Sequence, residues 1–117
     1  MNLKILLAED HKINRMMAVR QLETLGYEVV AVEDGAQALQ QGSAMHFDAF
    51  LLDLQMPIVD GFEAAKGLRA QGISVPIVAV TGTLSEADQQ RAVSCGFNAF
   101  VIKPLEVEAL RAALPKG

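Results

Sequence analysis

Residues 49–61 read AFLLDLQMPIVDG, and this stretch decides the fold. Four apolar residues lead without alternation into Asp53, which is typical of a strand covered on both faces in a parallel sheet. Asp60 then stands three residues before Glu63, the spacing of a capping box that begins a helix. Ligands of open α/β sheets bind beyond the carboxyl ends of the strands. Asp53 is therefore predicted to lie at a binding rim.

The rest of the chain repeats this alternation of strand and helix. Apolar runs at 4–8, 28–32, 49–52, 77–80 and 99–102 alternate with amphipathic stretches at 12–25, 35–43, 61–71, 84–95 and 106–114. This order predicts a doubly wound α/β fold with a five-stranded parallel sheet in the flavodoxin-like strand order 2-1-3-4-5. The 117 residues are the length of one domain, so residues 1–117 are expected to form a single unit.

Local signals support the helix limits. Glycines that are expected to end helices stand at Gly26, Gly72 and Gly96. A second capping box is predicted at Thr83 and Glu86, at the start of the fourth helix.

Composition narrows the class of partner. A net charge of -4 argues against direct nucleic-acid binding, which requires a basic surface. No apolar stretch reaches the roughly 20 residues of a membrane span, so no membrane contact by this segment is expected. The single cysteine, Cys95, fits a reducing compartment. The segment is expected to be cytoplasmic, either on its own or as the cytoplasmic part of a membrane-bound protein.

Five reactive side chains fall at strand ends and hence on one rim of the predicted sheet. Glu9 and Asp10 follow the first strand, Asp53 the third, Thr81 the fourth and Lys103 the fifth. Three neighbouring carboxylates repel one another, so a divalent cation, Mg²⁺ or Mn²⁺, is predicted among them. The Asp53 carboxylate can attack phosphorus to form an acyl phosphate, with Lys103 and Thr81 contacting the phosphoryl oxygens.

Each residue also has a structural interpretation. Glu9 and Asp10 suit the first turn of a helix, and Asp60 suits a helix cap. Thr81 alone would be a polar strand end and Lys103 a solvated one. Their joint position on one rim favours function.

These residues resemble the receiver domain of bacterial two-component response regulators, over essentially the whole chain. The matching motifs are Glu9-Asp10, Asp53 with Met56-Pro57 and Asp60-Gly61, then Thr81, then Lys103-Pro104. The resemblance implies that Asp53 accepts a phosphoryl group from a phosphohistidine on a histidine kinase or a histidine phosphotransfer protein. An isolated domain of this kind is expected to be no enzyme beyond its own phosphorylation and dephosphorylation.

The resemblance also implies roles that spacing alone does not provide. Mg²⁺ is expected on Glu9 or Asp10, Asp53 and the backbone carbonyl of Gln55. The Lys103–Pro104 peptide bond is expected to be cis, which X-Pro bonds permit.

A conformational switch is implied as well. Phosphate draws Thr81 inward and Phe100 follows, which remodels the face of the fourth helix, fifth strand and fifth helix. Tyr is commoner than Phe at position 100, so Phe100 lacks the hydroxyl anchor. Gln55 and Thr83 occupy the positions that tune phosphate lifetime.

The segments at 5–29 and 56–69 look most like receivers attached to hybrid sensor histidine kinases, with a stand-alone regulator as the alternative. Helical spacing predicts that Met17, Leu22 and Leu25 face the core. Ile13, Met16 and Val19 are then expected on the exposed side of the helix. This apolar strip is a candidate docking site for a helical phosphotransfer partner.

Three functions other than a phosphoaccepting receiver agree less well with these residues. A haloacid-dehalogenase-type phosphatase also uses an aspartyl nucleophile and Mg²⁺, but it expects an acid where Gln55 stands. A flavodoxin-like cofactor protein lacks support, because acids replace the phosphate loop after the first strand. A degenerate receiver that only binds proteins is disfavoured by the complete acid, Asp, Thr and Lys set.

Overall fold

The computed structural model describes residues 2–83 and 85–116. The strands are β1 Lys4–Ala8, β2 Glu28–Val32, β3 Ala49–Asp53, β4 Ile77–Thr81 and β5 Ala99–Ile102. The helices are α1 Lys12–Thr24, α2 Gly35–Ala44, α3 Gly61–Ala70, α4 Glu86–Cys95 and α5 Val107–Ala113. Within these ranges, no helix is both long enough and apolar enough to cross a bilayer.

The five strands form one parallel sheet in the order β2-β1-β3-β4-β5, which confirms the predicted fold class. The central strand β3 is buried along its whole length and pairs with β1 on one side and β4 on the other. Ala8 pairs with Leu52, and Asp53 pairs with Val80. The strands therefore end together, and the chain reverses direction across the sheet between β1 and β3.

Helices cover both faces of the sheet, which explains why the strands are apolar throughout. On one face, Leu6, Phe50 and Leu52 pack with buried residues of α2, α3 and α4. On the other face, Ile5 and Leu51 pack with buried residues of α1 and α5. Alternate residues of one strand thus enter different cores, as the two-residue repeat of a strand requires.

The helix ends agree with the predicted terminal glycines and with one of the two predicted capping boxes. Glycines in the left-handed region follow or end α1, α3 and α4, namely Gly26 (φ 94°), Gly72 (φ 87°) and Gly96 (φ 105°). Asp60 caps α3, because its Oδ1 accepts from the Glu63 N–H at 2.9 Å. These helix-end predictions are confirmed.

The predicted cap of α4 at Thr83 is wrong. Ser85 caps this helix instead, and its hydroxyl oxygen accepts from the Asp88 N–H at 3.1 Å. Two capping-type residues compete within three positions, and the helix begins directly after the later one, at Glu86. Position 84, where the helix was predicted to begin, lies outside the described residues.

Arg69, at the end of α3, connects three segments at the amino-terminal side of β4. Its guanidinium donates to the carbonyl oxygens of Ile73 at 2.9 Å, Val75 at 2.8 Å and Gly96 at 2.7 Å. It also donates to Asn98 Oδ1 at 2.7 Å, and that oxygen accepts the Ile77 N–H that begins β4. One side chain thus satisfies the backbone oxygens of two connections.

Replacing Arg69 with Met is expected to lower the free energy of unfolding by about 2 kcal/mol, because several part-buried carbonyls lose their donor. The measurement is urea unfolding, with Arg20→Met as the control, since Arg20 is an exposed arginine of α1. Equal losses in the two variants would contradict a structural role for Arg69.

Candidate functional site

The predicted reactive residues lie at one edge of the sheet. Glu9 and Asp10 directly follow β1, Asp53 is the last residue of β3, Thr81 is the last of β4, and Lys103 directly follows β5. The parallel order brings these ends to the same edge, and β3 lies between β1 and β4. Asp53 is consequently the centre of the group.

The three acids converge closely enough to share one cation. One carboxylate oxygen from each of Glu9, Asp10 and Asp53 lies within 4.8 Å of the others. Glu9 and Asp53 are buried, whereas Asp10 is exposed. Oxygen donors with one solvent-facing member suit Mg²⁺, which binds through carboxylates and keeps several waters.

Lys103 links the two buried acids. Its Nζ donates to Asp53 Oδ2 at 2.6 Å and to Glu9 Oε1 at 2.8 Å. Burial would lower the pKa of Lys103, but the hydrogen bonds and the charges of Asp53 and Glu9 outweigh burial and raise its pKa. The side chain therefore remains an ammonium cation. Its peptide bond to Pro104 is cis.

The other oxygen of Asp53 is held by the main chain that follows it. Asp53 Oδ1 accepts from the Gln55 N–H at 2.9 Å. Gly61 N–H donates to the Leu54 carbonyl at 3.1 Å, and a Cβ at position 61 would collide with the Asp53 carbonyl oxygen. The Asp-Gly motif thus lets the start of α3 lie directly against the strand end that carries Asp53.

Thr81 and Phe100 both make contacts outside the acidic cluster. Thr81 is buried, and its Oγ1 donates to the Thr83 carbonyl at 2.7 Å. The half-buried Phe100 packs against the core formed with α2, α3 and α4. Thr81 also lines a surface cleft with Asp10 and Gln55. The hydroxyl lies beside the acidic cluster, but its hydrogen bond is made elsewhere.

The exposed apolar surface of α1 differs from the predicted strip. Ile13 and Met16 are exposed to 57% and 56%, but Val19 is half-buried against the core of α1 and α5. Met17, predicted to face the core, is 57% exposed. The buried face of α1 is centred on Ala18 instead.

The prediction that Met17 faces the core was wrong for a simple physical reason. Leu22 fixes the buried side of α1, and the residue one helical turn before it is Ala18 rather than Met17. Met17 lies at the edge of that side. It lines a cavity of about 320 Å³ together with Asp53 and Lys103, so the apolar surface reaches the acidic site.

Arg15 is a site neighbour that the sequence did not reveal. Its Nη1 donates to the backbone carbonyls of Glu9 at 3.0 Å and Asp10 at 3.4 Å. An arginine at the start of a helix, a few residues after an acidic pair, is the only sequence signal for such a contact, and it is not specific.

Comparisons with known proteins agree with this geometry. A family model for the response regulator receiver domain matches residues 5–115. The sensor protein EvgS of Escherichia coli K12 is 41% identical over 112 residues, covering 96% of this chain. The chain spans 9% of the length of EvgS, so it corresponds to a small part of that relative.

Two solved structures have the same fold, one with a bound magnesium ion and the other in complex with a second protein. The receiver domain of the Pseudomonas aeruginosa sensor histidine kinase PA1611, with a magnesium ion in its active-site cleft, is 33% identical with a TM-score of 0.88, covering 96% of this chain and 93% of that one. The receiver domain of Saccharomyces cerevisiae Ssk1, in complex with the histidine phosphotransfer protein Ypd1, is matched at 27% identity with a TM-score of 0.87. That match covers 97% of this chain and 86% of the other.

The fold, the acidic rim with its lysine, and the family match over nearly the whole chain lead to one conclusion. The chain belongs to the response regulator receiver domain family of two-component signalling.

Proposed function

We propose that Asp53 is the phosphoacceptor of this receiver domain and that Lys103 and the neighbouring acids form its phosphorylation site. The observation that carries the proposal is the bridge from Lys103 Nζ to both Asp53 and Glu9. Such a bridge holds an attacking carboxylate beside a permanently charged ammonium group, which can stabilise the charge of a transferred phosphoryl group. The receiver domain is proposed to occupy residues 1–117.

The Asp53 carboxylate would attack the phosphorus of a phosphohistidine, forming an O–P bond as the P–N bond breaks. Lys103 would then turn from the carboxylates toward a phosphoryl oxygen, and Thr81 would exchange the Thr83 carbonyl for another phosphoryl oxygen. The domain would act only on its own aspartate, so it would not be an enzyme with external turnover. A kinase activity would belong to a larger parent protein.

The divalent cation, Mg²⁺ or Mn²⁺, would be held by Glu9, Asp10, Asp53 and the backbone carbonyl of Gln55. The three carboxylates already converge, and the PA1611 receiver holds magnesium in its own cleft, which supports this ligand set. When bound, the cation would neutralise charge on the acids and the phosphoryl group.

The output would be a change on the face formed by α4, β5 and α5. Inward movement of Thr81 would leave space that Phe100, at present half-buried, could fill. Gln55 and Thr83 are both exposed near the site, where their side chains would control water attack on the acyl phosphate. They are the proposed determinants of phosphate lifetime.

The phosphodonor would be a histidine kinase or a histidine phosphotransfer protein that docks on α1. The exposed Met17 lines the cavity at Asp53 and Lys103. Ile13 and Met16 are exposed on the same helix, which also carries the half-buried Val19. The Ssk1–Ypd1 complex supports a phosphotransfer protein as partner. As in EvgS, the parent would be a sensor protein, and the domain would work in the cytoplasm, where Cys95 stays reduced.

Incubation with acetyl phosphate and Mg²⁺ is expected to add about 80 Da, the mass of one phosphoryl group, as measured by intact mass spectrometry. Asp53→Asn should abolish the adduct because the nucleophile is gone, and chelation of the metal should slow its formation. Lys103→Met should reduce the rate at least roughly tenfold through loss of a fixed charge. An undiminished adduct in Asp53→Asn would exclude Asp53 as the acceptor.

The double substitution Ile13→Ser and Met16→Ser is expected to slow phosphotransfer from a phosphorylated histidine phosphotransfer domain roughly tenfold, because apolar contact area is lost. Phosphorylation by acetyl phosphate should be unchanged, since that donor needs no protein surface. The matched control is Val93→Ser, which removes an equally exposed apolar side chain from α4. Unchanged transfer in the α1 variant, or an equal loss in the control, would reject docking on α1.

A further inference from the structure

Arg15 holds the main chain of the acidic pair from the first turn of α1. Its Nη1 donates to the carbonyl oxygens of Glu9 and Asp10 at 3.0 and 3.4 Å. On its other side, the Glu9 N–H donates to the Val32 carbonyl at 3.1 Å. The backbone of Glu9 is thus fixed by β2 through its N–H and by Arg15 through its carbonyl.

The second contact of the guanidinium is weaker. Nη2 of Arg15 lies 3.6 Å from Glu33 Oε1, and the Glu33 side chain is 64% exposed. An exposed pair at this distance contributes little, because solvent screens it. The Arg15 side chain is only 17% exposed, and its hydrogen bond to the Glu9 carbonyl is part-buried, so this bond is better shielded from water. The effect of Arg15 should therefore act through the Glu9 and Asp10 backbone.

We propose that Arg15 is a positioning residue for the divalent cation: it fixes the Glu9 and Asp10 main chain so that both carboxylates face Asp53. The inference rests on the proposed function. Arg15 contacts carbonyl oxygens and leaves the carboxylate oxygens to the cation, so the two do not compete for the same atoms. Groups that orient metal ligands in this way typically change metal affinity by roughly 10- to 100-fold.

The direction in which Mg²⁺ affinity changes when Arg15 is removed separates a positioning role from simple electrostatics. Arg15 is a positive charge close to a site for a dication, so charge alone predicts that its removal strengthens Mg²⁺ binding. Positioning predicts the opposite, because the freed loop must be ordered again when the cation binds. The two explanations therefore cannot both fit one measured affinity.

The test is Mg²⁺ titration calorimetry on the whole chain and its variants. Arg15→Ala is expected to weaken binding roughly tenfold. Arg15→Lys keeps the charge but loses the planar fork, so an intermediate loss is expected. Arg20→Ala removes the same charge from an exposed site on α1, and Glu33→Gln removes only the exposed pair. Neither control should weaken binding more than about twofold.

Urea unfolding checks that every variant is folded under the titration conditions. Phosphorylation by acetyl phosphate gives an independent measurement: Arg15→Ala should be slow at limiting Mg²⁺ and recover at saturating Mg²⁺. Wild-type or tighter Mg²⁺ affinity in Arg15→Ala would overturn the positioning role. If the wild-type chain itself bound no Mg²⁺ and formed no adduct at Asp53, the proposed function would fail instead.

Discussion

The acidic edge of the sheet depends on the ion pairs that the Lys103 ammonium group makes with Asp53 and Glu9. Asp53 and Glu9 are buried at neighbouring strand ends, where two carboxylates would repel each other in a medium that screens charge poorly. Lys103 lies within hydrogen-bond distance of both. Its burial lowers its pKa, but the hydrogen bonds and charges of the two acids outweigh burial and raise it. Without a cation here, the strand order that brings the acids together would carry an uncompensated cost.

The topology explains why that lysine comes from the last strand. β4 lies between β3 and β5, so a side chain that follows β5 must be long to reach Asp53 across the end of β4. Lysine has this reach, and its flexible stem allows the ammonium group to change partners. Arg15 differs, because its guanidinium holds backbone carbonyls that would not change during the proposed phosphorylation. The ammonium group of Lys103 could therefore change partners, whereas the guanidinium of Arg15 would stay bound to the backbone.

The sequence predicted the sheet and the acidic rim because burial on both faces leaves a strong signal. Apolar runs without alternation indicate parallel strands covered on both faces, and reactive residues at their ends then share one edge. The orientation of α1 was harder to predict, because the exposed Ile13, Met16 and Met17 are as apolar as the buried Ala18 and Leu22, so more than one side of the helix suits burial. The cap of α4 was ambiguous for a similar reason, as Thr83 and Ser85 both suit it. Arg15 was missed because contacts to backbone carbonyls leave no pattern in the sequence.

If Asp53 is phosphorylated as proposed, the change in charge at the site explains why Thr81 would move. Three carboxylates, one ammonium and one divalent cation are together neutral, so the cation-loaded site would be electrostatically satisfied. Phosphorylation would replace the single negative charge of Asp53 with about two and add new acceptor oxygens. A donor beside the acidic cluster is the Thr81 hydroxyl, which now donates to the Thr83 carbonyl at 2.7 Å. Giving up that bond for a charged acceptor is favourable, because hydrogen bonds to ions are stronger than those to neutral groups. The movement of Thr81 would thus be driven by the excess charge, and Phe100 would respond to the space it leaves.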